Sequence, residues 1–176
     1  MFRLEALREV GGFDPALIAG EEPELCFRLR ARGWTILRLD RDMALHDAAM
    51  TRFGQWWKRA RRAGHAAAEG AWMHWRSRER YNVRRTGTIL LWGLIVPAAS
   101  IGLAWPTGGW SLLGLGLYPA QWWRIMRKER RRGRGGPDAR LVATFTLLAK
   151  FPQLAGVGSL VAGRVSGRRS RLIEYK

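Results

Sequence analysis

A chain of 176 residues has room for one ordinary domain, or for part of one with an appendage. Its 31 Lys and Arg against 14 Asp and Glu give a formal charge of +17, so its surface seeks anions: nucleic acid, anionic lipid or phosphorylated substrates. Yet 47% of its residues are hydrophobic, too apolar for a disordered basic tail, and the single Cys26 excludes an internal disulfide and a cysteine-only metal site.

Residues 1–9 alternate charge without a long apolar core, so no signal peptide is expected. Residues 4–10 read as a short helix that ends in a turn, Gly11-Gly12-Phe13-Asp14. A second helix of about ten residues is predicted after Gly20. Pro23 suits its first turn and Gly33 suits the position past its last. Glu21, Glu22 and Glu24 crowd its N-terminus, where free amides and the helix dipole favour acids. Residues 34–39 alternate apolar and polar as a strand does, and a short strand over 43–45 would end in His46-Asp47. Thr51 is placed to cap a long helix through Phe53, Trp56, Trp57, Ala60, Gly64 and Ala68.

The composition changes near residue 86, and residues 87–123 carry no charge. Residues 88–105 form an apolar run long enough to span a bilayer. Pro106, Thr107, Gly108 and Gly109 supply a turn, and residues 110–123 form a second, shorter run, so a transmembrane helical hairpin is expected over 86–124. Arg76, Arg78, Arg80, Arg84 and Arg85 precede it, and Arg124, Arg127, Lys128, Arg130, Arg131, Arg132 and Arg134 follow it. The positive-inside rule puts both flanks in the cytoplasm, with Trp105, Trp110, Trp122 and Trp123 as interfacial anchors. A buried helix pair in a soluble protein is the bland alternative, and the uncharged length argues against it. Residues 125–139 read as a basic cytoplasmic linker. Residues 140–176 read as interfacial or re-entrant helices, broken at Pro152, with a basic tail; a third span over 140–163 stays open.

The run GGFDPALIAGEEPELCFRLRARGW, followed by a predicted strand and His46, resembles the C-terminal half of family-2 glycosyltransferases of the GT-A fold. Their pattern is roughly G-G-F-D, then G-E-D-x-D-L-x-x-R-x-x-x-x-G-[WY], then a strand and a histidine. Gln55-Trp56-Trp57-Lys58-Arg59 resembles, more loosely, the Q-x-x-R-W element of processive members. The resemblance covers about residues 1–70. It implies an α/β fragment, the C-terminal half of a GT-A domain over residues 1–85, joined to α-helical membrane segments in a mostly helical chain.

The resemblance also implies roles. The acid that deprotonates the acceptor hydroxyl falls on Glu22, with Glu21 its neighbour and Glu24 a supporting acid near the acceptor. The sequence departs from the pattern here: the family has Asp at the Glu22 position, and Pro23 intervenes before Glu24. The alternative is that all three are only helix-start acids. His46 aligns with the family histidine that joins a divalent metal, Mg or Mn, beside the sugar diphosphate; Asp47 is a ligand or a turn residue. Gln55, Trp56 and Trp57 would shape the acceptor channel by stacking on sugars, or form the buried stripe of a helix. Arg59, with Arg61 and Arg62, would hold a diphosphate or face lipid. His65 and His74 have no spaced partner.

The D-x-D motif that binds metal and sugar nucleotide in the family would precede Met1; Asp40-Arg41-Asp42 has the spacing but follows the acidic motif. The expectation is therefore an incomplete enzyme, inactive without a nucleotide-binding half. Its partners would be a nucleotide-sugar donor, a lipid-linked or polysaccharide acceptor and anionic membrane lipid. The alternative is a non-catalytic basic membrane protein. Charge alone suggests a nucleic-acid binder, but no recognition motif supports one, and none is expected.

Overall fold

The computed structural model describes residues 2–37 and 50–167. The chain opens with α1 (Leu4–Glu9) and α2 (Glu21–Ala31). Ala6, Leu25 and Leu29 form their shared core, with Leu7, Val10 and Trp34 packed against it. Gly11 and Gly12 both take positive φ, 74° and 71°, so the turn after α1 needs residues without a Cβ.

The α/β half-domain expected for residues 1–85 is overturned: among the described residues there is no strand, and regular structure is helical throughout. Residues 34–37 lack strand geometry, and residues 38–49, with the expected strand over 43–45, lie outside the described set. The alternation in residues 34–37 finds no ladder partner, and a lone strand is not stable. Trp34 instead turns back onto α2, its amide bonding to the Leu29 carbonyl at 3.1 Å. Its indole N–H donates to Glu9 at 2.8 Å, while Leu37 is left 82% exposed.

α3 (Phe53–His74) is the long helix predicted from the Trp and Ala stripe, about 33 Å at 1.5 Å per residue. Gln55 starts it: its side-chain oxygen accepts the Thr51 and Arg52 amides, both at 3.1 Å. After residues 75–82 comes one continuous helix in three parts: α4 (Val83–Leu90), a π turn (Leu91–Ile95) and α5 (Val96–Gly102). The π turn precedes Pro97, which has no amide to give to the Gly93 carbonyl and whose ring crowds it, so the helix widens there.

The chain then turns and comes back. A 3-10 segment (Trp110–Gly116) leads into α6 (Leu117–Arg131). Ser111 donates to the Ser100 carbonyl at 2.7 Å and the Tyr118 hydroxyl to the Trp92 carbonyl, so the return runs antiparallel to the outgoing helix. α7 (Gly136–Leu148) runs back along α6, with Met126 buried against Ala139 and Ala143. α8 (Lys150–Val165) follows after a break at Ala149. Pro152 cannot bond to the Leu148 carbonyl, which places that break. α8 lies in the groove between α3 and α4, where Ala67, Ala68, Ile89, Val157 and Leu160 form the main core.

Beside α3, α7 and α8 run in the same direction: Phe145 meets Trp56, Gln153 lies against Gly64 and Arg164 meets Trp72. The junction between α7 and α8 sits beside Tyr118 and Trp92, through the Tyr118–Phe151 and Trp92–Tyr118 ring contacts. Arg140 and Arg164 therefore lie near opposite ends of Gly136–Val165, whereas the turn at 103–110 carries no charge and Trp105 there is 95% exposed.

Two helices are long and apolar enough to cross a membrane, Val83–Gly102 and Gly136–Val165. Only 17% and 22% of their apolar windows are buried, so their apolar faces point outward, unlike the core helices of a soluble protein. The returning arm expected over residues 110–123 is a 3-10 turn followed by a helix that carries its charge.

Candidate functional site

Glu24 is the buried acid of the acidic motif, 1% exposed. Arg28, one turn on, lies along both of its oxygens, with Nε 2.8 and 2.9 Å from them. The same guanidinium donates to the Gly12 carbonyl at 2.7 Å and to the Val10 carbonyl. His74, at the far end of α3, places Nε2 2.9 Å from Glu24. Phe27 covers this group, its ring stacked on Tyr81 at 4.9 Å and tilted on His74 at 4.6 Å. A carboxylate removed from water costs several kcal/mol unless its lone pairs are filled, and here a guanidinium and an imidazole fill them. The motif thus locks the Gly-Gly turn, α2 and α3 together.

Glu21 and Glu22 lie exposed in the first turn of α2. The loop before them rests on the middle of α3. Arg62 donates to the Ile18 carbonyl at 2.8 Å, and Gly20 lies against Ala66. Arg62 thus holds this loop, whereas Arg59 and Arg61 are exposed. Gln55 caps α3, and Trp56 packs edge-on to Phe145 of α7 at 5.1 Å. Trp57 is half-buried in a ring cluster with Phe53 and Trp56. The acids and the aromatic trio stand apart, since Ala66 and Gln55 are eleven residues separated on one helix, about 16 Å. His46 and Asp47 lie outside the described residues. Among the described residues no three His, Cys, Asp or Glu side chains form a metal site.

Sequence reasoning assigned nothing to His65 and His74. His74 meets Glu24 across fifty residues, which no local pattern announces. His65 did leave a signal, Glu69 four residues on. Both are buried, with Nε2 3.8 Å from Glu69 Oε2. The Ser159 hydroxyl gives its proton to the Gly156 carbonyl at 2.7 Å. Its oxygen, 3.1 Å from His65 Nδ1, accepts the Nδ1 proton and leaves Nε2 facing Glu69. Burial lowers the His65 pKa below its ordinary 6.5, helped by Arg61 and Arg164, against a raising hydrogen bond with the Gly156 backbone. Burial raises the Glu69 pKa above 4.5, helped by Asp14, against Arg164 and an Ile18 amide. Both groups favour their neutral forms.

The two shifts act on stability with opposite signs. His65, lowered, contributes stability present above pH 6.5 and lost as pH falls through its folded value. Glu69, raised, contributes stability present below pH 4.5 and lost as pH rises through its folded value. In the intact chain the slopes oppose each other. Glu69→Gln leaves the histidine slope, so its unfolding midpoint falls on acidification. His65→Gln leaves the carboxyl slope, so its midpoint falls as pH rises. Thermal unfolding in detergent micelles from about pH 4 to about pH 8 reads this. Parallel pH profiles for the two variants would contradict it.

Compared with protein-family models, curated proteins and solved structures, the chain finds no match.

Proposed function

We propose that this chain is the acceptor-side, membrane-mooring portion of a glycosyltransferase. It takes part in moving a sugar from a nucleotide-sugar donor to a lipid-linked or glycan acceptor at the cytoplasmic membrane face. The observation that carries this reading is the coupling of an acid-bearing helix head to an apolar helix of membrane-spanning length that arginines precede. Arg28 and Glu24 fix α2, whose exposed Glu21 and Glu22 follow a loop held on α3, and α3 leads through residues 75–82 into the helix Val83–Gly102. In this reading Glu22 takes the acceptor proton with Glu21 beside it, and Glu24 positions them from beneath. The arginines that precede the apolar helix, Arg76 to Arg85, set the cytoplasmic side and attract anionic lipid.

The exposure of both Glu21 and Glu22 favours a second reading, a basic membrane protein without catalysis. Glu22→Gln in the chromosomal copy of the native host separates the two. Membranes from that strain are expected to lose sugar transfer at least about a hundredfold, the usual contribution of a general base, while the chain stays in the membrane fraction. An unchanged transfer rate leaves only the second reading.

A further inference from the structure

At the start of α4, the loop before it forms an open surface depression of about 490 Å³. Arg80, Arg84 and Arg85 line it together with Tyr81 and Thr88. Among the described residues these three arginines form no ion pair. The one carboxylate on the wall, Glu79, is 3.6 Å from Arg30. A fourth cation stands behind the wall. Lys150, half-buried in an otherwise apolar stretch, donates to the Thr88 hydroxyl at 3.4 Å, and that hydroxyl donates to the Arg85 carbonyl at 2.8 Å. A cation at such a depth marks a functional site by default. The loop itself is strained: Arg80 and Asn82, neither of them glycine, have φ of 47° and 58°. Such strain persists only where surroundings impose it, and it clusters at ligand sites.

Three arginines around one depression, with Lys150 behind Thr88 and the one acid engaged by Arg30, call for a dense anion. Arg84 and Arg85 lie in the first turn of a helix, whose dipole adds to the positive potential. Exposed Leu91, Leu94 and Ile95 continue from the depression along the apolar helix, where an acyl or prenyl chain would lie. We propose that this depression binds the terminal phosphate of a lipid: a phosphate monoester or diphosphate headgroup, with the chain along Val83–Gly102. The proposal deepens the reading of a lipid-linked acceptor and rests on it. A terminal phosphate offers three acceptor oxygens and nearly two charges to forked guanidinium groups, and a diester offers less of both.

The test is calorimetric titration of the chain in maltoside micelles with dodecyl phosphate, its methyl diester and inorganic phosphate. Dodecyl phosphate is expected to bind about tenfold tighter than the diester, a difference of about 1.4 kcal/mol. The double variant Arg84→Gln, Arg85→Gln removes that preference. A second basic cavity, lined by Trp122, Trp123, Arg130 and Arg140, supplies the control: Arg130→Gln with Arg140→Gln keeps the preference. Equal affinity for the two esters, or a preference that survives at positions 84 and 85, overturns the proposal. Inorganic phosphate displacing dodecyl phosphate at equal concentration overturns the lipid source. The glycosyl-transfer reading fails separately, through an unchanged rate in Glu22→Gln membranes, and the ester preference stands regardless of that result.

Discussion

Arg28→Met is expected to cost about 3 kcal/mol or more, because it leaves a buried carboxylate with half its partners. Glu24 is 1% exposed, and Arg28 supplies both of its short contacts on one side. Without the guanidinium, His74 is the remaining partner, and the Val10 and Gly12 carbonyls lose their donor as well. Arg28→Lys retains charge but not the fork, so it falls between wild type and Arg28→Met. Glu24→Leu combined with Arg28→Met removes the unpaired charge and is expected to recover much of the loss, short of the unpaired His74. Hydrogen exchange locates the damage, with α1 and α2 amides losing protection before those of α8. A cost below about 1 kcal/mol, the worth of an exposed ion pair, would show that the group is solvated and the motif only decorative.

The helical half of the architecture was legible because its causes are local. Pro23 and the three acids announced α2, and the aromatic and alanine stripe announced α3. The uncharged run announced Val83–Gly102, and Pro152 announced the break between α7 and α8. The sheet was misread because alternation over residues 34–37 says nothing about whether a partner strand exists. Trp34 had a better offer from Glu9 and the core of α1 and α2. The returning arm over residues 110–123 opens as a 3-10 turn, because a run rich in leucine and glycine fits that tighter turn as well as an α-helix. In the candidate site, the acidic cluster was visible but not its division of labour. Which of three neighbouring glutamates faces inward depends on Arg28 one turn away and on His74 at the end of another helix. The support behind the Arg80 to Thr88 depression was hidden for the same reason: Lys150 meets Thr88 from a helix about sixty residues on.

Gly156→Ala is expected to destabilise the bundle by about 3 kcal/mol, whereas Gly158→Ala, two residues away, is expected to stabilise it by up to about 1 kcal/mol. A Cβ on Gly156 would stand 2.0 Å from the Arg61 carbonyl oxygen and 2.7 Å from the His65 amide nitrogen. Both are backbone atoms of α3, so no side chain can swing aside. Gly64 makes the reciprocal contact, its added Cβ falling 2.1 Å from the Gln153 carbonyl oxygen. Two glycines therefore let α3 and α8 touch backbone to backbone, as small residues do between membrane helices. Gly158 faces open space, with nothing within 4 Å, so there alanine brings only its better helix propensity. Separating α3 from α8 also pulls Ser159 from His65 and shifts Lys150 from Thr88. Gly156→Ala should therefore weaken dodecyl phosphate binding, while Gly158→Ala leaves it intact. Unfolding midpoints in micelles read the stability effect, and equal midpoints for the two variants would mean that the helices are not in backbone contact.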